Sequence, residues 1–186
     1  STAIGVEELK KCGADTLIRV GTCGGIDPDI VPGTLIIPTG AIRKEGTGRE
    51  YVPIEFPAVP NFDLVAALRA AADKLGYKHA LGVVECKDSY YGQHDPESMP
   101  TEDELKSKWK AWQRAGAVGS EMESATLYVV ASVRRMRAAT VLLLCRNIER
   151  EKLTGLTDTD WETAHAIETA VEAIRMLIKQ DKQKKG

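Results

Sequence analysis

Apolar positions along the chain fall into two spacings, and their alternation lays out short strands separated by helices. Residues 3–12 read as a short helix stopped by Gly13, a common residue at a helix carboxyl end. Residues 16–20 and 34–38 are strand patterns, with turns at Asp27-Pro28-Asp29 and Pro32-Gly33 between them. Asn61 is placed to cap a helix whose Leu64, Val65, Leu68 and Leu75 share a face and which Gly76 ends. Residues 80–86 give a third strand. Residues 102–115 give a charged surface helix with acids in its first turn and Trp109 and Trp112 as an inner face. A helix is expected after Ser120, running to about Met136, then a strand over 140–145 whose lack of polar alternation predicts burial on both faces. The last helix, from Asp160, carries Ala164, Ile167, Val171, Ile174 and Ile178 as its expected buried stripe. Residues 40–60, 88–101 and 146–159 show little periodicity and read as long loops, which in compact domains usually carry function.

Strands alternating with helices indicate an α/β fold, with residues 1–186 as one domain and the three loops meeting at strand ends. The 43% hydrophobic and 28% charged content is that of a soluble globular chain. A net charge of -2 leaves no footprint for nucleic acid, and no apolar run approaches membrane-spanning length. The basic stretch 179–185 reads as a solvated terminus. Cys12, Cys23, Cys86 and Cys145 lack CxxC spacing and read as reduced structural thiols, which points to a cytoplasmic protein, and no signal peptide is visible. No His/Cys/Asp cluster has ligand spacing, so neither metal nor cofactor is implied. The chain opens Ser1-Thr2-Ala3-Ile4 without an initiator Met, which reads as a processed terminus or part of a longer polypeptide.

Chemistry concentrates in three stretches. Ser120-Glu121-Met122-Glu123-Ser124-Ala125 follows Gly119 and precedes an apolar run. Acids at a helix mouth are favoured by the helix dipole, so an ordinary capped helix is the plain alternative. Two glutamates around a methionine offer more: a soft flat surface for a sugar face and a carboxylate that accepts from both hydroxyls of a cis-diol. Upstream, Leu17-Ile18-Arg19-Val20-Gly21-Thr22-Cys23-Gly24-Gly25-Ile26 is a strand running into a glycine turn that carries Arg19 and Thr22. Between them, the loop after the third strand holds Tyr90, Gln93 and His94.

Together these stretches resemble the nucleoside phosphorylases of the hexameric type, closest to the uridine phosphorylases. The paired Arg-x-Gly-Thr-x-Gly and Glu-Met-Glu-Ser motifs carry the likeness, which runs from Ser1 to the last helix. The resemblance implies a mixed central sheet flanked by helices in three layers. It implies phosphorolysis of uridine to uracil and ribose 1-phosphate, with phosphate as co-substrate and no cofactor. It also implies a homo-oligomer, a dimer or a hexamer. On that reading Arg19 resembles the phosphate arginine, Thr22 a donor to phosphate near the ribose, and Glu123 the ribose clamp with Met122 packed under the sugar. Glu121 serves the sugar or the helix terminus. Gly24 resembles the glycine beside the base, Tyr90 stands where the family usually has Phe, and Gln93 resembles the amide that reads uracil.

The chain departs from the family pattern in places. Asp95 stands where an Arg usually donates to uracil, which makes Arg146 the next candidate to face the base, with His94 beside it. Purine-cleaving relatives carry a Ser-Asp pair after the fourth strand, where this chain has Cys145-Arg146-Asn147. The resemblance further implies an amino-terminal portion, with several strands, a Gly-Asp-Pro-x-Arg loop for phosphate and a His lent to a neighbour, that these residues do not include. Alternatives are a phosphorylase for purine or other nucleosides, or a nucleoside-binding protein without turnover.

Overall fold

The computed structural model describes residues 1–183. The sheet is built around β5 (Arg137–Arg146), whose residues from Ala138 to Cys145 are all buried. β5 runs parallel to β1 (Thr16–Gly25), in register from Thr16↔Arg137, with a bulge between Cys23 and Gly24. Its other edge meets β2 (Leu35–Arg43) antiparallel, at Leu35↔Leu143 and Ile36↔Leu142. β2 lies parallel to β3 (His79–Cys86), and β3 parallel to β4 (Gly119–Glu121). β4 then pairs antiparallel with β1 at Gly24↔Ser120 and Gly25↔Gly119, which closes the five strands into a barrel.

The two-residue period of the strands sorts their side chains. Ile36, Val84, Leu142 and Leu144 point inward with Cys23 and Val118. Leu35, Ile37, Val141 and Leu143 point outward onto α3 (Phe62–Leu75) and α8 (Ala164–Gln183). On the opposite side α1 (Thr2–Lys11) and α6 (Ser124–Val133) form a second core through Val6, Leu127 and Val130. The mixed sheet flanked by helices matches the fold class expected from the sequence.

Several elements differ from the sequence expectation. Residues 40–60 are not all loop: β2 runs on to Arg43 because β3 pairs with it past a bulge at Pro38/Gly40, and α2 (Thr47–Tyr51) follows. α4 (Tyr90–His94), capped by the Ser89 hydroxyl accepting from the Gly92 amide at 3.0 Å, and a 3-10 turn (Pro96–Ser98) occupy the second expected loop, ahead of α5 (Glu102–Arg114). The helix expected after Ser120 starts later and ends sooner: β1 and β3 draw Gly119–Glu121 into β4, and α6 runs over Ser124–Val133. α8 turns its small residues inward, burying Ala166, Ala170, Ala173 and Leu177 against α3, where Ala67 and Ala71 allow close approach. The expected stripe is the outer face instead: Ile167, Val171, Ile174 and Ile178 are 50%, 42%, 43% and 50% exposed. The basic stretch 179–185 continues α8 to Gln183, and its last two residues lie outside the described residues. All four cysteines are free, and no helix among the described residues is long and apolar enough to cross a membrane.

The third expected loop contains α7 (Ile148–Thr154), and Asn147 ahead of it locks the mouth of the barrel. Its Oδ1 accepts from the Arg150 amide at 3.1 Å, capping α7. Its Nδ2 donates to the carbonyls of Asp27 and Ile30, both at 2.8 Å, tying the β1–β2 connection to the end of β5. Gly25 makes room for it, since a Cβ there would stand 2.4 Å from the Asn147 amide. Asn147→Ala strips a cap and the donor to two partly buried carbonyls, so it is expected to cost about 2–4 kcal/mol. That corresponds to a fall of roughly 5–12 °C in thermal midpoint, read by calorimetry, for a chain of this size.

Candidate active site

The barrel mouth opens into a cavity of about 860 Å³. All nine residues singled out from the sequence line it: Arg19, Thr22 and Gly24 from β1, Tyr90 and Gln93 from α4, Glu121, Met122 and Glu123 from the β4–α6 turn, and Arg146 from the end of β5. The closing strand β4 is what brings them together, because it sets the end of β1 against the end of β3.

Arg19 is the centre of charge. Its Nη2 donates to Glu123 Oε2, and its Nη1 lies 3.3 Å from Glu121 Oε2. Gly21, one pleat further along β1, leaves the space for this: a Cβ there would come within 2.6 Å of Nη1. The Nη1 contact with Glu121 is an ion pair without hydrogen-bond alignment, so this buried nitrogen has no acceptor of its own. Nη1 is thus a guanidinium donor without a hydrogen-bond acceptor, on a residue that lines the cavity, and a guanidinium is a donor type suited to an oxyanion.

The two glutamates differ in duty. Glu121 is buried, and its carboxylate accepts from the backbone amide of Glu123 at 2.9 Å and of Ser124 at 2.9 and 3.0 Å. It holds the first turn of α6 and leaves Glu123, half exposed, turned toward the cavity beside Met122. Thr22 bonds the Cys145 thiol, which burial raises above its usual range while that bond opposes the shift.

At the other end of the cavity Tyr90 packs on His94 with ring centroids 4.2 Å apart. Partial desolvation, followed by the charges of Lys87 and Arg146, holds the His94 imidazole below the usual histidine range, which favours its neutral form at pH 7. Arg146 lies on the cavity wall but donates to Glu151 of α7 at 2.7 and 2.8 Å, so its guanidinium is already engaged. Asp95 does not line the cavity. It precedes the 3-10 turn, where its carbonyl accepts from the Ser98 hydroxyl at 2.9 Å.

Sequence reasoning missed the cation that stands nearest Gln93 by hydrogen bonding. Lys87, at the end of β3, is buried and donates from Nζ to Ser120 Oγ at 2.6 Å. The same hydroxyl lies 2.7 Å from the Gln93 amide and 2.5 Å from Glu85 Oε2. Burial lowers the Lys87 ammonium below the usual lysine range, while Glu85 and Glu121 pull it back up. A charged residue directly after an apolar strand pattern was the available signal, but lysines there are usually solvated.

Comparison with known proteins agrees with this geometry. Residues 2–179 match the family described as the phosphorylase superfamily. A uridine phosphorylase of Treponema pallidum is 56% identical over 97% of this chain and 70% of its own length. A uridine phosphorylase of Escherichia coli is 34% identical over 96% of this chain and 72% of its own. A guanosine phosphorylase of Halorubrum lacusprofundi is 30% identical over 96% of this chain and 69% of its own. With an arginine held between two glutamates at the mouth of a closed sheet, and a match along almost its whole length, the chain belongs to the phosphorylase superfamily.

Proposed function

We propose that this chain is a pentosyltransferase that cleaves uridine with phosphate, giving uracil and ribose 1-phosphate. The observation that carries this is Arg19 on the cavity wall, paired with Glu123 through Nη2 and with Nη1 3.3 Å from Glu121 without a hydrogen bond. The reaction breaks the C1′–N1 bond as a phosphate oxygen bonds to C1′, and the bonding pair leaves with the base. It needs a positioned anion, a held ribose and stabilisation of the leaving uracil. Arg19, with the Thr22 hydroxyl, takes the phosphate. Glu123 accepts from the 2′- and 3′-hydroxyls, and Met122 supplies a surface under the sugar. Tyr90 covers the sugar and base, Gly24 forms the wall beside them, and Gln93 reads the base edge. No cofactor enters these steps.

A purine reading is less favoured by the residues after β5. Arg146 is paired with Glu151, and Asn147 is spent on Asp27, Ile30 and Arg150, so neither presents an acid to a purine nitrogen.

Arg19→Ala is expected to lower kcat/KM by ~10²–10³-fold, as does loss of one preorganised oxyanion donor, with the larger KM rise on phosphate. Glu123→Ala removes two charge-assisted bonds to ribose and is expected to cost about 10²-fold or more, with the larger KM rise on uridine. Because the two residues are paired, the double variant should lose clearly less than the product of the single losses in steady-state kinetics.

The same reading includes a homo-oligomer, a dimer or hexamer, in the cytoplasm. The exposed aliphatic row Ile167, Val171, Ile174 and Ile178 on α8 supports assembly, since a contiguous apolar face is usually covered. Light scattering is expected to give a mass well above 20.3 kDa, and a monomer mass would contradict assembly.

A further inference from the structure

We infer that Lys87, Ser120 and Glu85 form a positioning unit that fixes which end of the Gln93 amide faces the cavity. It thereby limits the leaving base to one carrying a ring N–H next to a carbonyl. The inference rests on the phosphorolysis proposed above and extends it to two buried strand residues and a buried lysine whose roles the reaction has not required.

Ser120 is the hub. It is 3% exposed, Glu85 is fully buried and Lys87 is 5% exposed. Glu85 and Ser120 are register partners on β3 and β4, so their contact is built on paired strands and not on a loop. Glu85 is anchored on both oxygens: Oε1 lies 3.4 Å from Lys44 Nζ, while Oε2 meets the Ser120 hydroxyl at 2.5 Å and Lys87 Nζ at 3.6 Å.

A serine hydroxyl has one proton to give and two lone pairs to offer. Lys87 can only donate, so it takes one lone pair at 2.6 Å. Glu85 as a carboxylate can only accept, so it takes the proton. One lone pair is left for Gln93, and it can be met only by a donor. The structure sets Gln93 Oε1 at 2.7 Å from Ser120 Oγ, an orientation that asks one proton to serve two acceptors. The two ends of an amide have the same shape, and the hydrogen-bond network decides between them. The network here demands nitrogen toward Ser120. Every group is then satisfied: Nε2 gives one proton to Ser120, and Oε1 and the second Nε2 proton face the cavity.

That arrangement pairs with an imide edge. Oε1 accepts a ring N–H, and Nε2 donates to the neighbouring carbonyl. Cytosine carries an unprotonated ring nitrogen at the same place, so its lone pair would confront that of Oε1. A site built to hydrogen-bond a particular N–H discriminates strongly against analogues that lack it. Without this unit the Gln93 amide turns freely and accepts either base edge.

The test compares kcat/KM for uridine and cytidine, with phosphate, in the wild-type protein and in Ser120→Ala, Ser120→Thr and Glu85→Gln, each checked first for an unchanged thermal midpoint. Ser120→Ala is expected to lower the uridine-to-cytidine ratio at least ~10-fold, the worth of about one hydrogen bond, while Ser120→Thr keeps it within about threefold. Glu85→Gln should swing the ratio further toward cytidine. Its new amide can donate to Ser120, which frees the hydroxyl proton for Gln93 Oε1 and turns both Nε2 protons to the cavity. A ratio unchanged within about threefold in folded Ser120→Ala overturns the inference, as does an equal loss in Ser120→Thr. If Glu85→Gln fails to fold, the alanine–threonine comparison decides alone. Wild-type protein that leaves uridine intact would overturn the proposed phosphorolysis; turnover with an unmoved ratio overturns only the positioning unit.

Discussion

A partly buried guanidinium needs countercharge, and how Arg19 obtains it determines the shape of the whole site. Its two carboxylate partners come from one short turn, Glu121-Met122-Glu123, delivered by β4 to the end of β1. Removing one member of such a group leaves an uncompensated charge and costs more than the pair itself contributes. Each glutamate also does a second job: Glu121 caps α6 through the amides of Glu123 and Ser124, and Glu123 lines the cavity. On the proposed reading, phosphate meets an Arg19 already ion-paired with both glutamates, whose Nη1 has no hydrogen-bond acceptor.

Closure of the sheet makes that set possible. β4 is three residues long, yet it joins β1 to β3 and so brings Arg19, the α4 segment and the glutamates around one mouth. Asn147 holds the same mouth by bonding the β1–β2 connection to the end of β5. Rigid strands thus carry the groups that must not move, Arg19, Glu85 and Ser120. The short helices α4 and α7 carry Tyr90, Gln93 and the partner of Arg146.

The strongly patterned parts of the fold were legible in the sequence. The apolar run ending at Cys145 gave the central strand, and Asn61 and Gly76 bracket α3 as their cap chemistry requires. Short-range patterns hid the rest. β4 has no pattern of its own and exists because β1 and β3 offer it partners. α8 offers two apolar faces, and large aliphatic residues drew the reading to the one that packing leaves outside, while its alanines allow closer approach to α3. Of the nine residues proposed for the site, six stand in the paired motifs, while Tyr90, Gln93 and Arg146 came from the wider resemblance, and each lines the cavity. What no motif could show was Lys87: its burial and its link through Ser120 to Gln93 arise only when β3 and β4 lie side by side. With Asp95 away from the cavity and Arg146 engaged by Glu151, Lys87 is the buried lysine one hydroxyl away from the Gln93 amide.

The most direct measurement is release of uracil from uridine by the purified protein across a phosphate titration, with inosine alongside. The expected result is release that requires phosphate, saturates with it and yields ribose 1-phosphate, with inosine left largely intact. Cleavage that proceeds equally well without phosphate, or that favours inosine over uridine, would contradict the assignment of Arg19 to the anion and of Gln93 to the pyrimidine.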